Sequence, residues 1–374
     1  MKIGLELEYW VVDKDGVLTS ATELIDAHKY AVPECVEALL ELVLPPVASQ
    51  TELETEIIDS LTELLAIAAD NDLFIVPLGT TLIEARPPAT SARGMILERV
   101  YGEELRFAKN VAGTHIHFDQ TDAIAQANLL TALDPALALV ATTPYYDGQR
   151  TAASARAAAY RRSMSARFAP FRRLQPYVWT EAECNKRVHQ TFELFIERAR
   201  VAGIDRETVT EHFSPDDVIH GPVRIRNDIG TVEWRAPDTA LPRQVIRLAY
   251  DIEGVLEQLA TKPLVVGPVP GVYSDRIVIP PFDRLEQLTT EAIYNGLTTP
   301  VQSYLRAFGI DVTAYAPLTE GFPKRDALSV AEARDLRRLY AGVLSDDVSM
   351  LRREQEGSQL LSVPLQRVPR YALE

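Results

Sequence analysis

The chain has 374 residues, enough for one large domain or two ordinary ones with an ample core. With 47% hydrophobic and 24% charged residues it has the composition of an ordinary globular protein, and its net charge of −15 argues against nucleic acid as a partner. No apolar run approaches the length of a membrane span and no signal peptide precedes the first strand, so we expect a cytoplasmic protein without a membrane partner.

The basic residues are strongly biased towards arginine. Of the 38 lysine and arginine residues, seven are lysine and 31 are arginine. An acidic surface that avoids lysine is typical of a cytosol of high salt, where repulsion between carboxylates is screened. We therefore expect a halophilic, haloarchaeal-type protein, and a merely acidic mesophilic protein is the alternative.

The first predicted strand carries two carboxylates on one face. Residues Ile3 to Asp13 (IGLELEYWVVD) alternate, which places Glu6 and Glu8 on one face and Leu5 and Leu7 on the other. Like charges that are adjacent on one face of a strand repel unless something positive lies between them. Because the strand is otherwise so apolar that both faces look buried, a bound cation is favoured over a solvated surface.

A second carboxylate-bearing strand is predicted at residues 38–44, where Pro45 and Pro46 stop it. Glu41 is the one charged residue of this apolar run. A lone buried carboxylate must be paired, protonated or bound to a metal. Glu41 is therefore a candidate metal ligand, and Glu37 is a weaker one.

The next segments alternate between helix and extended chain. A capping box at residues 51–54 predicts a helix that ends near Asn71, and residues 73–77 read as a short core strand. We predict an extended segment or edge strand at residues 80–86. Residues 93–110 are predicted as one amphipathic helix.

The centre of the chain carries two histidines on one strand. In Ala112 to Asp119 (AGTHIHFD), His115 and His117 share one face, while Ile116 and Phe118 share the other and anchor the strand. Two imidazoles on a stiff element after a glycine suit a metal ion or a phosphate. A pair of surface histidines is an equally weighted alternative on this stretch alone.

A ligand-binding loop is predicted after the next helix. The helix covers residues 124–140 with a break at Pro135, and the loop at residues 142–156 carries Arg150 and Arg156. The stretch that follows is basic and either faces an anionic substrate or pairs with the acidic surface; its arginines are Arg156, Arg161, Arg162, Arg167, Arg172 and Arg173.

A hairpin supplies the fourth group of ionisable residues. It follows a long helix at residues 181–202 and spans residues 216–238. Thr231, Glu233 and Arg235 share one face of its second strand. Arg224 and Arg226 share a face of its first strand. Taken alone, Glu and Arg on one face are best explained as a salt bridge.

Helices dominate the remainder of the chain. We expect residues 1–262 to form the catalytic domain and residues 263–374 to form a C-terminal helical segment that packs on the same domain. Residues 263–281 read as a loop or linker that is rich in proline, glycine and valine. The helices predicted after the loop cover residues 284–295, 300–308 and 330–354.

The four strands together predict a site for hard cations. Carboxylates with few histidines and no cysteine suit Mg²⁺ or Mn²⁺ rather than zinc. ATP needs such ions to neutralise its phosphates, and arginines stabilise the charge that develops in phosphoryl transfer. Neither a GxxxxGK[ST] loop nor a GxGxxG fingerprint opening a helix is present, so the phosphates would have to be held by the sheet face and its metals.

Five motifs in order carry a family resemblance. ELEYWVVD, LLELVLPP, AGTHIHFD, TTPYYDGQRTAASAR and GTVEWRAPDT resemble the carboxylate–amine ligase family that includes one type of glutamate–cysteine ligase, within the glutamine synthetase-like superfamily. The resemblance spans about residues 1–262. It implies an α+β fold of the glutamine synthetase and guanidino kinase type, with a curved, mainly antiparallel sheet, helices on its outer face and the site on its concave face.

The resemblance also implies roles for the candidate residues. The metals that carry ATP would be held by Glu6, Glu8, Glu41, His115 and Glu233. The transferred phosphate or the substrate carboxylate would contact Arg235, Arg156 and one of Arg224 or Arg226, with His117 beside the phosphates. The catalytic residues would be Glu233, Arg235 and Arg156, and the loop would add Arg150 and Thr151 as contacts to ATP or substrate.

Two positions depart from the family pattern. The family usually has threonine three residues after the position of Glu41, where this chain has Leu44. Many relatives carry His-Pro where this chain has Thr81-Leu82. Both departures bear on the recognition of the amino acid rather than on the metal site.

The function implied by the resemblance is ligation of glutamate to cysteine with ATP and Mg²⁺ or Mn²⁺. The γ-carboxylate would be phosphorylated and then attacked by the amine, giving γ-glutamylcysteine, without any role for Cys35 or Cys184. The expected partners are these small molecules, and a homodimer is left open. The alternatives are a ligase for another acid or amine, a guanidino phosphotransferase, and a silent metal- or nucleotide-binding relative.

Overall fold

The computed structural model describes residues 1–83, 91–162 and 165–357. The strands within these ranges are β1 (Ile3–Asp13), β2 (Ala31–Pro33), β3 (Leu39–Val47), β4 (Leu73–Val76), β5 (Thr114–Asp119), β6 (Tyr145–Tyr146), β7 (Gln149–Arg150), β8 (Val223–Arg226), β9 (Thr231–Trp234), β10 (Leu264–Val266), β11 (Gly271–Val272) and β12 (Ile277–Ile279).

The α-helices alternate with these strands and dominate the second half of the chain. They are α1 (Thr22–Ala27), α2 (Gln50–Asp70), α3 (Ala92–Tyr101), α4 (Arg106–Lys109), α5 (Ala123–Ala132), α6 (Ala155–Ala157), α7 (Ala169–Arg172), α8 (Glu181–Val201), α9 (Arg206–His212), α10 (Pro242–Glu257), α11 (Phe282–Asn295), α12 (Thr299–Ala307) and α13 (Val330–Glu356).

The main sheet has seven antiparallel strands arranged around β1. Their order is β2-β3-β1-β5-β9-β8, and β4 also pairs with the C-terminal half of β1. Leu5 and Leu7 of β1 are fully buried on one face, where the helices α2, α10 and α13 pack. The alternation of β1 therefore leaves the opposite face to its carboxylates. The predicted α+β class, with helices on one face of an antiparallel sheet, is confirmed.

Most predicted elements appear where the sequence pattern places them. The strand at Ile3–Asp13 is confirmed to the residue, and the long helix before Gly203 is α8. The helix α2 begins slightly earlier than predicted because Ser49, not Thr51, is its N-cap. The Ser49 hydroxyl accepts a hydrogen bond from the amide of Glu52.

The strand β3 continues through Pro45 and Pro46, which we predicted would stop it. On its outer side β3 pairs with β2 only at Leu40–Leu42. The two prolines therefore lie at a part of the outer edge that β2 does not pair with. On the inner side, Val47 still pairs with Ile3 of β1. Proline lacks an amide proton but is tolerated at such an edge.

The prediction of a single helix at residues 93–110 is wrong. The structure has α3, a 3-10 turn at Gly102–Leu105 and then the short α4. Gly102 has φ of +56°, a left-handed conformation that a right-handed helix cannot continue through. The amphipathic spacing extends across both pieces and does not reveal this break.

Two segments without a strong pattern also differ from expectation. Residues 263–281 are not a linker, because β10, β11 and β12 form a small three-stranded sheet there. In the extended segment predicted at residues 80–86, Thr80 forms an isolated bridge with Val111 and Leu82 has φ of +66°. The last three residues of that segment lie outside the described residues.

The helices after residue 280 share the core of the sheet. Ile293 of α11, Leu305 of α12 and Leu344 of α13 belong to the same buried cluster as Leu5 and Leu7. The tail at residues 360–374 lies outside the described ranges. Within those ranges no single helix is long and apolar enough to cross a membrane; α5 and the 3-10 turn that follows it (Asp134–Val140) pass that test only as a pair bent by 56°.

One arginine of the basic stretch, Arg161, forms a buried ion pair. The Arg161 guanidinium donates to Asp134 at 2.7 Å, and the two residues are 4% and 0% exposed. Arg161 lies in a π-helical turn, Ala158–Arg162, which follows α6 directly. The pair therefore joins this turn to the 3-10 turn after α5.

We expect Asp134→Ala to lower the free energy of unfolding by about 3–5 kcal/mol, because it leaves the Arg161 charge buried without its partner. Glu197→Ala breaks the exposed pair of Glu197 with Arg200 on α8 and should leave stability unchanged. Urea unfolding of both variants measures the difference, and equal stabilities would contradict the importance of the buried pair.

Candidate active site

The pairing register of four strands gathers the predicted ionisable residues on one face of the sheet. Residues directly opposite each other on neighbouring strands share a face. The register pairs Glu6 with His115 and Glu8 with Glu41. On the far side of β5, His117 pairs with Glu233 of β9. Segments distant in sequence therefore converge on the face that the helices leave uncovered.

His115 lies at the centre of these carboxylates. Its Nδ1 atom is 2.8 Å from an oxygen of Glu6, 3.7 Å from Glu233 and 3.8 Å from Glu41, and its Nε2 atom is 3.6 Å from Glu8. Burial and the positive charge of Arg235, which follows β9 directly, lower the pKa of His115 to about 4. The neutral imidazole is the form that binds a metal.

The ligand atoms form three overlapping groups, in each of which all atoms lie within 4.8 Å of one another. The groups are Glu6 with Glu41 and His115, Glu6 with His117 and Glu233, and Glu8 with Glu34 and Glu41. Oxygen and imidazole donors of this kind suit hard divalent cations. All five residues predicted as metal ligands therefore take part in these groups.

His117 supplies a separate indication that a cation fits. Its Nδ1 atom is 3.0 Å from the hydroxyl of Thr231, which fixes the ring. Its buried Nε2 atom has no hydrogen-bond partner among the described residues, although it lies 3.2 Å from Glu6. An imidazole nitrogen and a carboxylate that converge without bonding to each other are a natural pair of metal ligands.

Glu34 is a site residue that sequence reasoning missed. It follows β2 in an irregular segment, so no alternation assigns it to a face. Its carboxylate accepts a hydrogen bond from the amide of Cys35 and joins Glu8 and Glu41 in the third group. Glu37, the weaker candidate named from sequence, is exposed and does not join the groups. The one signal in the sequence was that Glu34 directly follows Pro33, the last residue of β2.

The carboxylates of the third group repel one another. Burial, and then the charge of Glu34, raise the pKa of Glu8 to about 8. Burial, and then the neighbouring carboxylates, raise the pKa of Glu41 well above its ordinary value. A divalent cation among these side chains would relieve both the burial cost and the repulsion.

The second group is instead neutralised by arginines. Arg224 donates to Glu233 through Nε and Nη2 at 2.8 and 2.7 Å, and Arg235 donates through Nη1 at 2.6 Å. Burial opposes ionisation of Glu233, but the charges of Arg235 and then Arg224 lower its pKa to about 2. Arg226 lies 3.8 Å from Glu233 and pairs mainly with Asp228.

Arg156 is held by backbone rather than by a carboxylate. Its Nη1 atom donates to the carbonyls of Arg235 and Ala236, at 3.3 and 3.1 Å. The close packing requires Gly113, because a Cβ atom there would come within 2.0 Å of the Arg156 guanidinium. The same glycine donates its amide to Glu8. Gly113 thus lets the arginine and the carboxylate approach the same stretch of backbone.

These residues line a cavity of about 380 Å³ that carries charges of both signs, here named the acidic wall and the basic wall. The acidic wall carries Glu6, Glu8, Glu34 and Glu41. The basic wall carries Arg93, Lys109, Arg156, Arg172, Arg224, Arg226 and Arg235, with Tyr160 and His220 between them. Sequence analysis left Arg172 open between an anionic substrate and the acidic surface, and it did not assign His220 or Tyr160 to the site.

Arg150 and Thr151 are not brought to this cavity. The Arg150 guanidinium donates to the carbonyl of Pro323 and lies 5.8 Å from the ring centre of Tyr145. Thr151 is exposed and its amide donates to Pro144. The loop that carries them turns towards the segment before α13, while only its C-terminal end, with Arg156, reaches the site.

The positions that depart from the family pattern lie away from the carboxylates. Leu44 pairs with Leu5, so its side chain lies on the helix-covered face of the sheet. The hydroxyl of Thr81 donates to Asn110, and Arg337 of α13 donates to the Thr81 carbonyl. Neither departure removes a ligand from the three groups.

Comparison with known proteins identifies the family. The description "Glutamate-cysteine ligase family 2" matches residues 2–267. The chain belongs to this family. No curated protein matches the chain in sequence. The resemblance predicted from the five motifs is thereby confirmed. Membership of the family supports the general activity of an ATP-dependent ligase.

Two solved structures are similar to this member of the family in fold. The glutamate–cysteine ligase of Francisella tularensis, in complex with AMP, is 14% identical with a TM-score of 0.53, and the match covers 96% of this chain and 95% of that one. A bifunctional glutathione synthetase of Pasteurella multocida is 16% identical with a TM-score of 0.49, covering 95% of this chain and 52% of that one. This chain therefore spans about half the length of the Pasteurella protein.

We expect the metal-free protein to lose stability as the pH rises from about 6.5 to about 8. Over this interval the raised pKa of Glu8 makes the folded state keep a proton that the unfolded chain has already lost. The lowered pKa of His115 acts at lower pH, below the ordinary value of 6.5. Thermal unfolding in EDTA checks this. Addition of Mg²⁺ or Mn²⁺ should raise the melting temperature more at pH 8 than at pH 6.5.

Glu8→Gln is the control for this dependence and should flatten the fall in stability over the same interval. A slope that is unchanged in this variant would show that Glu8 does not cause the pH dependence.

We also expect Glu34→Gln to weaken the binding of Mn²⁺ by at least about tenfold, the lower end of the loss on removing even a group that only orients a ligand. Titration of the metal-free protein followed by the Mn²⁺ paramagnetic resonance signal measures this. Glu37→Gln makes the same change three residues away at an exposed position and should bind Mn²⁺ as the unmodified protein does. Equal affinities of the two variants would remove Glu34 from the ligand set.

Proposed function

We propose that this protein joins the γ-carboxylate of glutamate to the amine of cysteine, using ATP and Mg²⁺ or Mn²⁺, through γ-glutamyl phosphate. The observation that carries the proposal is the set of three overlapping ligand groups in a cavity that arginines also line. ATP and glutamate both bring negative charge, which bound cations and these arginines can neutralise. Membership of glutamate–cysteine ligase family 2 supports this choice of substrates.

The acidic wall fits the metals that the reaction needs. The residues of the three groups would hold them: Glu6, Glu8, Glu34, Glu41, His115, His117 and Glu233. When bound, such ions neutralise the phosphates of ATP and polarise the phosphorus–oxygen bonds. The protein contributes the fixed positions of these side chains, which the strand register sets.

The first chemical step is phosphoryl transfer. An oxygen of the γ-carboxylate attacks the γ-phosphorus of ATP, and the bond to the β,γ-bridging oxygen breaks to release ADP. We assign Arg235 and Arg156 to stabilise the charge that builds on the transferred phosphoryl group. Glu233 keeps Arg235 in place through the 2.6 Å hydrogen bond, and its low pKa keeps that pair charged at neutral pH.

The second step forms the amide. The amine nitrogen of cysteine attacks the carbonyl carbon of the acyl phosphate, the carbon–oxygen bond to phosphate breaks, and the nitrogen gives up a proton. Inorganic phosphate and γ-glutamylcysteine are the products. Because the acyl phosphate is already activated, the chain supplies position and charge rather than a nucleophile.

Release of inorganic phosphate from ATP with pairs of amino acids tests the proposal. We expect release with glutamate and cysteine together, and a product of the mass of γ-glutamylcysteine. Release only with a different pair would replace these substrates by another acid or amine. A phosphorylated guanidino compound formed without free phosphate would assign the protein to phosphotransfer instead.

We expect Glu8→Gln and Glu233→Gln each to reduce turnover by about 10²–10³-fold or more, because each removes a preorganised charge from the reacting groups. Asp59→Asn, at an exposed position of α2, is the matched control and should keep normal turnover. Circular dichroism verifies that all three variants fold. Near-normal activity of both glutamine variants would refute the assignment of the metal site.

A further inference from the structure

Among the described residues, one arginine of the basic wall has neither a carboxylate nor a carbonyl partner. Arg172, the last residue of α7, is 2% exposed and lines the cavity. Its Nε and Nη1 atoms are buried without a hydrogen-bond partner, and no carboxylate lies within ion-pair distance of it among the described residues. A buried guanidinium in this condition is costly unless something neutralises it.

The other arginines of the wall are already engaged. Arg224 and Arg235 bind Glu233, and Arg226 binds Asp228. Arg156 is held by two backbone carbonyls. Each of these arginines therefore has a partner that fixes its position in the protein, whereas the Nε and Nη1 atoms of Arg172 have none among the described residues.

Aromatic rings hold Arg172 in a fixed position. Its guanidinium lies 4.6 Å from the ring centre of Tyr160 and 4.9 Å from that of Tyr101. Tyr101 in turn stacks on Phe168, at 4.4 Å between ring centres. Contacts of a cation with ring faces restrict the side chain without consuming its hydrogen-bond donors.

Tyr160 reaches this position through irregular backbone. It lies in the π-helical turn Ala158–Arg162, and the same ring lies 5.9 Å from the guanidinium of Arg156. Turns of this type are frequent at functional sites because the extra residue per turn redirects a side chain. Here the turn sets one ring between two cavity-lining arginines.

The neighbour of Arg172 in the cavity does not compete for an anion. Burial, and then the charges of Arg172 and Arg235, lower the pKa of His220 well below its ordinary value. The amide of His220 donates to the carbonyl of Phe171, so α7 and the segment before β8 are tied together beside Arg172. This part of the wall thus holds one buried cation, Arg172, next to a neutral imidazole.

We propose that Arg172 binds the α-carboxylate of an amino-acid substrate whose reacting end lies among the carboxylate ligands. The inference rests on the proposed function and adds a specificity-determining residue to it. A guanidinium forms charge-assisted hydrogen bonds with a planar carboxylate, and both glutamate and cysteine carry an α-carboxylate away from the reacting group. The phosphates of ATP are instead assigned to the cations held by the carboxylates and to Arg156 and Arg235.

Equilibrium binding separates this role from turnover. Calorimetric titration of the full chain with Mg²⁺ and a non-hydrolysable ATP analogue, using glutamate and cysteine as separate ligands, identifies the amino acid concerned. For that amino acid we expect Arg172→Met to weaken binding by about 10- to 100-fold, the range for loss of a charged hydrogen bond. The affinity for the ATP analogue should change less than about twofold on the same scale.

Carboxamide analogues test the partner atom without altering the protein. The unmodified protein should bind the α-carboxamide of the affected amino acid as weakly as Arg172→Met binds the amino acid itself. Arg172→Met should bind the α-carboxamide and the amino acid with the same affinity. Arg173→Met is the matched control, because Arg173 is the exposed neighbour, and it should bind as the unmodified protein does. If the substitution and the carboxamide each weaken binding and the two losses of affinity add, the contact between Arg172 and the α-carboxylate is refuted.

Stability distinguishes binding from a structural role. Because the charge of Arg172 has no partner in the protein, Arg172→Met should not lower the melting temperature. A lowered melting temperature with unchanged affinity for both amino acids would overturn the inference in favour of a structural role. If the protein binds an amino acid through Arg172 but releases no phosphate with any pair, the proposed function fails and the inference stands. If the unmodified protein binds neither amino acid, the inference fails.

Discussion

Repulsion between carboxylates gathered on one face of a sheet is the constraint on which the rest of the site depends. Glu6, Glu8, Glu41 and Glu233 come from three strands, and the helix-covered core prevents those strands from moving apart. On the side of β9, arginines relieve the repulsion at Glu233. On the side of β3 they do not, so a cation is needed there. The fold therefore stores an unfavourable charge arrangement that a ligand relieves.

The alternating pattern of two strands allowed much of this to be predicted. β1 and β5 alternate apolar and ionisable residues so regularly that the faces of Glu6, Glu8, His115 and His117 follow from the period of two alone. Glu41 was identified because one charge in an apolar run needs a partner. In each case local sequence determines the direction of the side chain, and the pairing of strands then brings the directions together.

Residues whose roles depend on irregular backbone could not be predicted in this way. Glu34 lies between β2 and β3 without any periodicity, and Arg172 gains its position from tyrosines on α3 and on a π-helical turn. The break at Gly102 was missed because amphipathic spacing continues across it. Arg150 resembles Arg156 in loop composition, but only tertiary contacts show that it turns towards Pro323.

The contrast between Glu6 and Glu8 shows why these long-range contacts decide the chemistry. The two side chains share one face of one strand, two residues apart. Burial opposes ionisation of both, yet the adjacent imidazoles of His115 and then His117 lower the pKa of Glu6, whereas Glu34 helps to raise the pKa of Glu8. Glu6 is thus charged before any ligand arrives, and Glu8 becomes fully charged at neutral pH only when a cation replaces its proton. Loading of the Glu8, Glu34 and Glu41 group must therefore release protons, whereas Glu6 and Glu233 have none to release.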